Sequence, residues 1–315
     1  MESRGEVSSL SVGGPNGAPF SEGVTVVDAM RGDRLPRTLV AGVAFTGIIV
    51  VGAILVFLVK ESLPVLRDAS LMEMLTGPYW YPSQEEPKFG MLPLWVGSLA
   101  VTGLSALMSL PFSVGLGIFL SEVCPRGLRE IIKPAVEVMG FLPSVVLGFI
   151  GMVVIAPHLQ ERFGVLTGLN MLNASFLLGI LMLPTVASLT EDSLSSVPKE
   201  VRDGSYALGA TRLETTFRVV VPYAARGIGS ACILGVMRAL GETMVVLMAA
   251  GGAAIIPESL VDPVRPLTSA IAAEMGETPV GSSHYHALFF MGLMLLLATM
   301  GLNLAVMALE RRRRV

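Results

Sequence analysis

Polar and apolar residues along this chain segregate into long blocks rather than alternating at short period. Six apolar runs stand out: Leu39–Val59, one from near Leu94 to near Leu120, Ala135–Ala156, Leu172–Leu189, Ile228–Ala250 and Ala287–Leu309. Each approaches the roughly 20 residues that a helix needs to cross a bilayer. In lipid the backbone N–H and C=O groups must be satisfied within the segment, so each run predicts a helix. The pattern as a whole predicts an all-α polytopic membrane protein with six transmembrane helices. Pro111, Pro143 and Pro184 fall inside runs two, three and four and predict bent helices covered by neighbours. The first run follows a polar stretch rich in Gly, Ser and charge; it lies too far in for a signal peptide and reads as an uncleaved first span.

Composition agrees with lipid as the solvent. Charged residues make up 15% of the chain, against about 25% in soluble domains, and mean hydropathy is +0.69. The net charge of −3 says little, but its distribution says more. With the N-terminus in the cytoplasm, the inner segments hold Arg4, Arg31, Arg34, Arg37, Arg126, Arg129, Lys133, Lys199, Arg202, Arg212, Arg218, Arg226 and Arg311 to Arg314. The outer segments hold only Lys60, Arg67, Lys88, Arg162 and Arg265. This bias predicts that both termini are cytoplasmic. The expected organisation is a polar segment 1–37, a first helix with a long external loop over 38–93, a five-helix membrane domain over 94–310, and a basic tail 311–315. The tail fixes topology and suits anionic lipid. Cys124 and Cys232 lie at or inside spans and predict two reduced thiols.

Two external loops are long. Lys60–Pro93 carries Tyr79, Trp80 and Tyr81 followed by Glu85 and Glu86, and Gly251–His286 is rich in Gly and Pro. The aromatic cluster fits an interfacial anchor and a docking site for an external partner equally well. His284 and His286 flank Tyr285, but no Cys or acidic cluster lies nearby in the sequence, so no metal site is expected. The 18 methionines read as packing residues.

The cytoplasmic segment at about 191–226 is the most informative. Ser196 and Pro198 suit a helix start, and Gly209 permits a sharp turn between two short helices. Tyr206, Ala207, Leu208, Leu213, Phe217 and Val221 offer apolar surface, while Arg212, Glu214 and Arg218 keep the remainder polar. Alone, this pattern also fits an ordinary amphipathic connector. None of Lys60, Lys88, Lys133 and Lys199 sits in a G-x-x-x-x-G-K-[ST] phosphate loop, so the chain itself is not expected to hydrolyse ATP or to carry a catalytic residue.

In span five, Arg238 lies about ten residues into the apolar run, roughly 15 Å deep at 1.5 Å per residue. A charge there costs on the order of 3 kcal/mol, so it is expected to face the bundle interior. Glu242 is four residues on and is expected on the same face. Ala231, Gly235 and Ala239 form a small-residue strip suited to close helix approach. Either the pair neutralises itself and holds register, or Arg238 meets a passing anion that its guanidinium fork suits.

The segment Asp203-Gly204-Ser205, three residues, Gly209, nine residues, then Val219-Val220-Val221-Pro222 resembles the "EAA loop" of binding-protein-dependent ABC importer permeases. The spacing matches throughout; Gly204 and Ser205 replace two alanines, while Asp203 keeps the carboxylate. RALGETM around Arg238 resembles the RAIGETM of phosphate importer permeases, and GPYWYPSQEEPKFGMLPLWVGSL, LSEVCP and EVMGFLPSVVLGFIG resemble the PstC type. The likeness runs from about Leu71 to the end of span six. It implies a type I importer permease fold and a path for inorganic phosphate lined by Arg238, Glu242 and Thr243. It also implies an ATPase-coupling segment containing Asp203, Gly204, Ser205, Ala207, Gly209, Ala210, Thr211, Phe217 and Pro222. The implied partners are a second permease (PstA type), two ATPase subunits (PstB type) that hold ATP and Mg, and a periplasmic binding protein (PstS type). The chain itself is expected to hold no cofactor, and its surroundings are the lipid bilayer and not nucleic acid. Other cargoes, such as molybdate, sulfate or an amino acid, and a secondary transporter or channel without an ATPase are the alternatives.

Overall fold

A computed structural model describes residues 34–311; residues 1–33 and 312–315, which carry most of the expected polar N-terminal segment and basic tail, lie outside the described residues. Among the described residues six helices are long and apolar enough to cross a membrane. The first, α1 (Arg34–Ser62), is apolar from Leu39 to Val59 with charged residues only near its ends, and its residues up to Val56 belong to a unit of their own.

In the second unit, residues 57–315, the chain turns through a 3-10 segment (Leu63–Arg67), a short helix α2 (Leu71–Thr76) capped by Ser70, and a two-stranded hairpin of β1 (Trp80–Tyr81) and β2 (Lys88–Phe89). Next come α3 (Leu92–Ile118), which a π-helical turn (Phe119–Val123) extends, and α4 (Arg126–Gly140). Helix α5 (Ser144–Ile150) passes through a second π turn (Gly151–Ile155) into α6 (Ala156–Phe163), and α7 follows over Met171–Ser195. The segment after α7 forms α8 (Lys199–Ala207) and α9 (Arg212–Thr215), then a third π turn (Thr216–Val220) and α10 (Val221–Leu240). Two short helices, α11 (Met244–Ala249) and α12 (Leu267–Glu274), precede the final α13 (Ser283–Arg311).

Helix α7 is the hub. Leu177, Leu178, Leu181, Met182, Val186 and Ala187 are buried on several of its sides. Against it α3 presents a ladder of small residues, Ser105, Ser109, Ser113 and Gly117, all buried. Ser109 Oγ donates to Gly179 O at 2.7 Å, and Ser175 Oγ donates to Val101 O at 3.2 Å, so the helices meet at backbone distance. On the other side of α7 the expected strip of Ala231, Gly235 and Ala239 is buried as well; a Cβ on Gly235 would collide with Val186 Cγ2.

The third apolar run does not form one helix. Helix α4 stops at Gly140, and Pro143, placed at the N-cap of α5, divides the run rather than bending a continuous span. The spanning piece is Ser144–Phe163. The fifth run is likewise broken: α10 ends at Leu240, with Gly241 as its C-cap, before α11 restarts at Met244. Pro111 and Pro184 lie inside continuous helices, as expected. Ser196 closes α7 instead of starting the next helix; its Oγ donates back to Ser193 O at 2.7 Å. Cys124 and Cys232 are both free and half-buried.

Candidate functional site

The segment between α7 and α10 folds as a helix–turn–helix whose outer face is apolar. Gly209 takes φ +83°, the left-handed region open to glycine, and so reverses the chain between α8 and α9. Thr211 caps α9 with a full capping box: Glu214 N–H donates to Thr211 Oγ1 at 3.3 Å, and Thr211 N–H donates to Glu214 Oε2 at 2.9 Å. Ser205 is buried and exchanges a 2.9 Å hydrogen bond with Thr215, which ties α8 to α9, while Ala210 N–H donates to Ser205 O at 3.3 Å. Asp203, Gly204, Ala207 and Pro222 are on the exposed side. Leu208 (91% exposed), Leu213 (62%) and Phe217 (59%) project outward, joined by Tyr206 and Tyr223. Below them Leu194, Val197, Val220 and Ala224 form a small buried cluster. The five exposed side chains, carried by α8, α9, the turn between them, the π turn that follows and the first turn of α10, form a patch with the character of a protein contact surface.

The second candidate region lies where the two broken runs meet. Helix α5 packs on α11, close enough that a Cβ on Gly148 would sit 3.2 Å from Met244 O. Arg238, in the last turn of α10, is exposed and donates from Nη2 to Gly140 O at 3.3 Å, at the end of α4. Glu242 does not share a helical face with it, because the helix ends between the two residues. Its Oε1 instead accepts from Met244 N–H at 3.1 Å at the start of α11, and its backbone oxygen accepts from Thr268 Oγ1 at 2.7 Å. Thr243 is the N-cap residue of α11, with its Oγ1 3.5 Å from Gly241 O. The expected Arg238–Glu242 pair is therefore not formed, and among the described residues Arg238 is in no ion pair. Gly241, at the C-cap, is the local sign of this end that the four-residue spacing of Arg238 and Glu242 leaves out of account, since glycine commonly closes a helix.

Three charged clusters have no signature in the sequence: two join residues 58 to 80 positions apart, and the third is closed by Trp80, 194 positions from Glu274. Glu191, 1% exposed on α7, accepts from Arg129 and Lys133 of α4, the latter at 2.6 Å. Glu122, 5% exposed in the π turn after α3, pairs with Arg202 of α8 at 2.6 Å. At the opposite end of the molecule Glu274 accepts from Arg265 Nη1 at 2.6 Å and Trp80 Nε1 at 3.1 Å, and its Oε2 lies 2.8 Å from His284 Nε2. This cluster lines a cavity of 450 Å³ under the hairpin. Trp80, from the aromatic triplet, is thus buried as an internal strut, while Tyr79 and Tyr81 stack on each other and are exposed. His286 turns elsewhere, with Nδ1 2.7 Å from Glu61 O.

Six apolar spans among the described residues, a hub helix α7 packed by α3 and α10, and an outward-facing helix–turn–helix between the fourth and fifth spans define a multi-pass inner-membrane permease of an ABC importer. The chain belongs to the family of binding-protein-dependent transport system inner membrane components, whose model matches residues 113–315. It is 38% identical over 291 residues to the probable ABC transporter permease protein YqgH of Bacillus subtilis, covering 92% of this chain and 93% of that one. It is 32% identical to the phosphate transport system permease protein PstC of Mesorhizobium japonicum, covering 85% and 86%, and 33% identical to PstC of Haemophilus influenzae, covering 80% and 84%. Among solved structures, a bacterial alginate ABC transporter superposes with a TM-score of 0.58 at 13% identity, covering 92% of this chain and 98% of that one. The MetNI methionine ABC transporter, inward facing, does so at 0.52 and 20%, covering 70% and 97%. These two show the fold: a type I importer permease. Family membership sets aside the secondary-transporter and channel alternative.

Proposed function

We propose that this chain is the PstC-type half of a permease pair that carries inorganic phosphate inward, driven by ATP hydrolysed on partner subunits. The observation that carries the reading is Arg238. A guanidinium sits in the middle of an apolar run, exposed on the single chain, beside two helix breaks, and among the described residues it is held by one long bond to a backbone carbonyl. Such a group costs about 3 kcal/mol at the bilayer centre and is retained where it serves a polar path. Its planar fork matches phosphate oxygens. The PstC matches support this cargo.

On this reading the second permease (PstA type) closes the path over Arg238, and Glu242 and Thr243 shape the break that leaves it unpaired. The apolar patch of Leu208, Leu213 and Phe217 seats in an ATPase subunit (PstB type) that holds ATP and Mg. A PstS-type protein delivers the anion to the opposite face, and both termini lie in the cytoplasm. The test is labelled-phosphate uptake by the reconstituted complex. Arg238→Gln is expected to lower uptake by about a hundredfold, the loss of roughly 3 kcal/mol of anion stabilisation, while assembly is retained. Uptake at the normal rate would sink the assignment. Excess sulfate or molybdate should not compete; competition by either would reassign the cargo within the same class.

A further inference from the structure

We infer that Arg202, acting through Glu122, locks helix α8 onto the ends of α3 and α7, so that the three move as one body when the partner ATPase pulls on α8. The inference rests on reading α8–α9 as the ATPase-facing segment, and it assigns Arg202 a positioning role. Arg202 Nη1 reaches Glu122 Oε2 at 2.6 Å, and Nη2 donates to Leu194 O at 2.8 Å. One side chain thus holds the last turn of α7 and the π turn that ends α3, across 80 residues of sequence. Glu122 is 5% exposed, and its Oε1 accepts from Ser121 Oγ at 2.9 Å. Among the described residues Arg202 is its only cationic partner. A buried carboxylate that loses its cation is strongly destabilised, so the contact is held under load.

The other forces at this joint are weaker in direction. The cluster of Leu194, Val197, Val220 and Ala224, with Ile118 and Val201 at its edge, is apolar and can slide. A short charge-assisted bond fixes both distance and angle. The π turn at Phe119–Val123 breaks the regular ladder where Glu122 turns inward, a local feature often found at functional sites. Arg129 and Lys133, by contrast, tie α4 to α7 and do not reach α8. A motion imposed on the exposed patch of α8–α9 therefore reaches α3 through Arg202.

The test uses the full reconstituted complex with Cys124 and Cys232 replaced by serine and spin labels at positions 123 and 200, both exposed. In the otherwise wild-type complex the label distance is expected to stay narrow and unchanged between the nucleotide-free and vanadate-trapped states. With Arg202→Gln it is expected to broaden or shift on trapping, and phosphate taken up per ATP hydrolysed to fall about tenfold or more while hydrolysis continues. Glu122→Gln removes the charge without leaving a buried carboxylate and should open the same joint, which keeps the test decisive if Arg202→Gln fails to assemble. A distance that already changes on trapping in the parent complex, or that stays narrow in both variants, overturns the clamp. Absence of phosphate uptake by the parent complex instead overturns the cargo, and the label distances still decide the clamp.

Discussion

Glu191 shows how much a single residue in this chain depends on partners far along the sequence. It is 1% exposed, and its carboxylate survives there because Arg129 and Lys133, each about one-third exposed, reach in from α4. The burden is asymmetric. Removing both cations strands a buried anion, whereas removing the anion leaves two cations that can turn to water. We therefore expect the double substitution Arg129→Met, Lys133→Met to destabilise the chain by about 3–5 kcal/mol, and Glu191→Gln to cost clearly less. Thermal unfolding in detergent compares them, and equal losses would contradict the asymmetry. Arg238 was legible because a charge inside an apolar run is visible from sequence alone. Its separation from Glu242 was not, because four-residue spacing implies a shared face only while the helix continues, and Gly241 ends it. Glu122 and Glu191 gave no local sign of burial; each sits near a predicted boundary where exposure is the ordinary expectation.

The regularity at the scale of elements is the placement of the π turns. Those at Phe119–Val123, Gly151–Ile155 and Thr216–Val220 each end two residues before a proline: Pro125, Pro157 and Pro222. A proline supplies no N–H to the ladder and pushes aside the carbonyl one turn back, and a wider turn accommodates both effects. At the second π turn Asn173 Nδ2 donates to Gly151 O at 3.0 Å, so the neighbouring helix α7 covers a carbonyl of the wider turn. Of the three prolines expected to bend their helices, Pro111 and Pro184 sit within continuous helices, and Pro143 separates two. Gly209 has the opposite character, being local and fully legible. Nothing lies within 4 Å of where its Cβ would be, so Gly209→Val tests backbone conformation alone. It is expected to cost about 1–2 kcal/mol and to weaken retention of the ATPase during purification, whereas Gly209→Asn should be nearly neutral. Equal behaviour of the two variants would argue against the left-handed turn.

For the whole molecule, the two ends carry different chemistry. One presents the patch of Leu208, Leu213 and Phe217; the other carries the hairpin, the stacked tyrosines and the Glu274 cluster. Leu213→Asp with Phe217→Asp should leave the membrane domain folded while co-purification of an ATPase subunit falls about tenfold or more, since central apolar anchors dominate such contacts. Undiminished co-purification would move the docking surface elsewhere. A cysteine placed at Glu85 should be labelled by an impermeant reagent added outside, and one at Lys199 only after the cytoplasmic face is opened to it; the converse pattern would reverse the proposed topology. The apolar runs, the charge bias and the Gly209–Pro222 spacing were enough to determine the membrane class, the number of spans and the position of the exposed segment, because lipid solvation and local backbone geometry act on neighbours along the chain. Which carboxylates are enclosed, and which cation holds α8 to α3, were decided only by tertiary packing, since those energies belong to pairs of residues 58 to 80 positions apart.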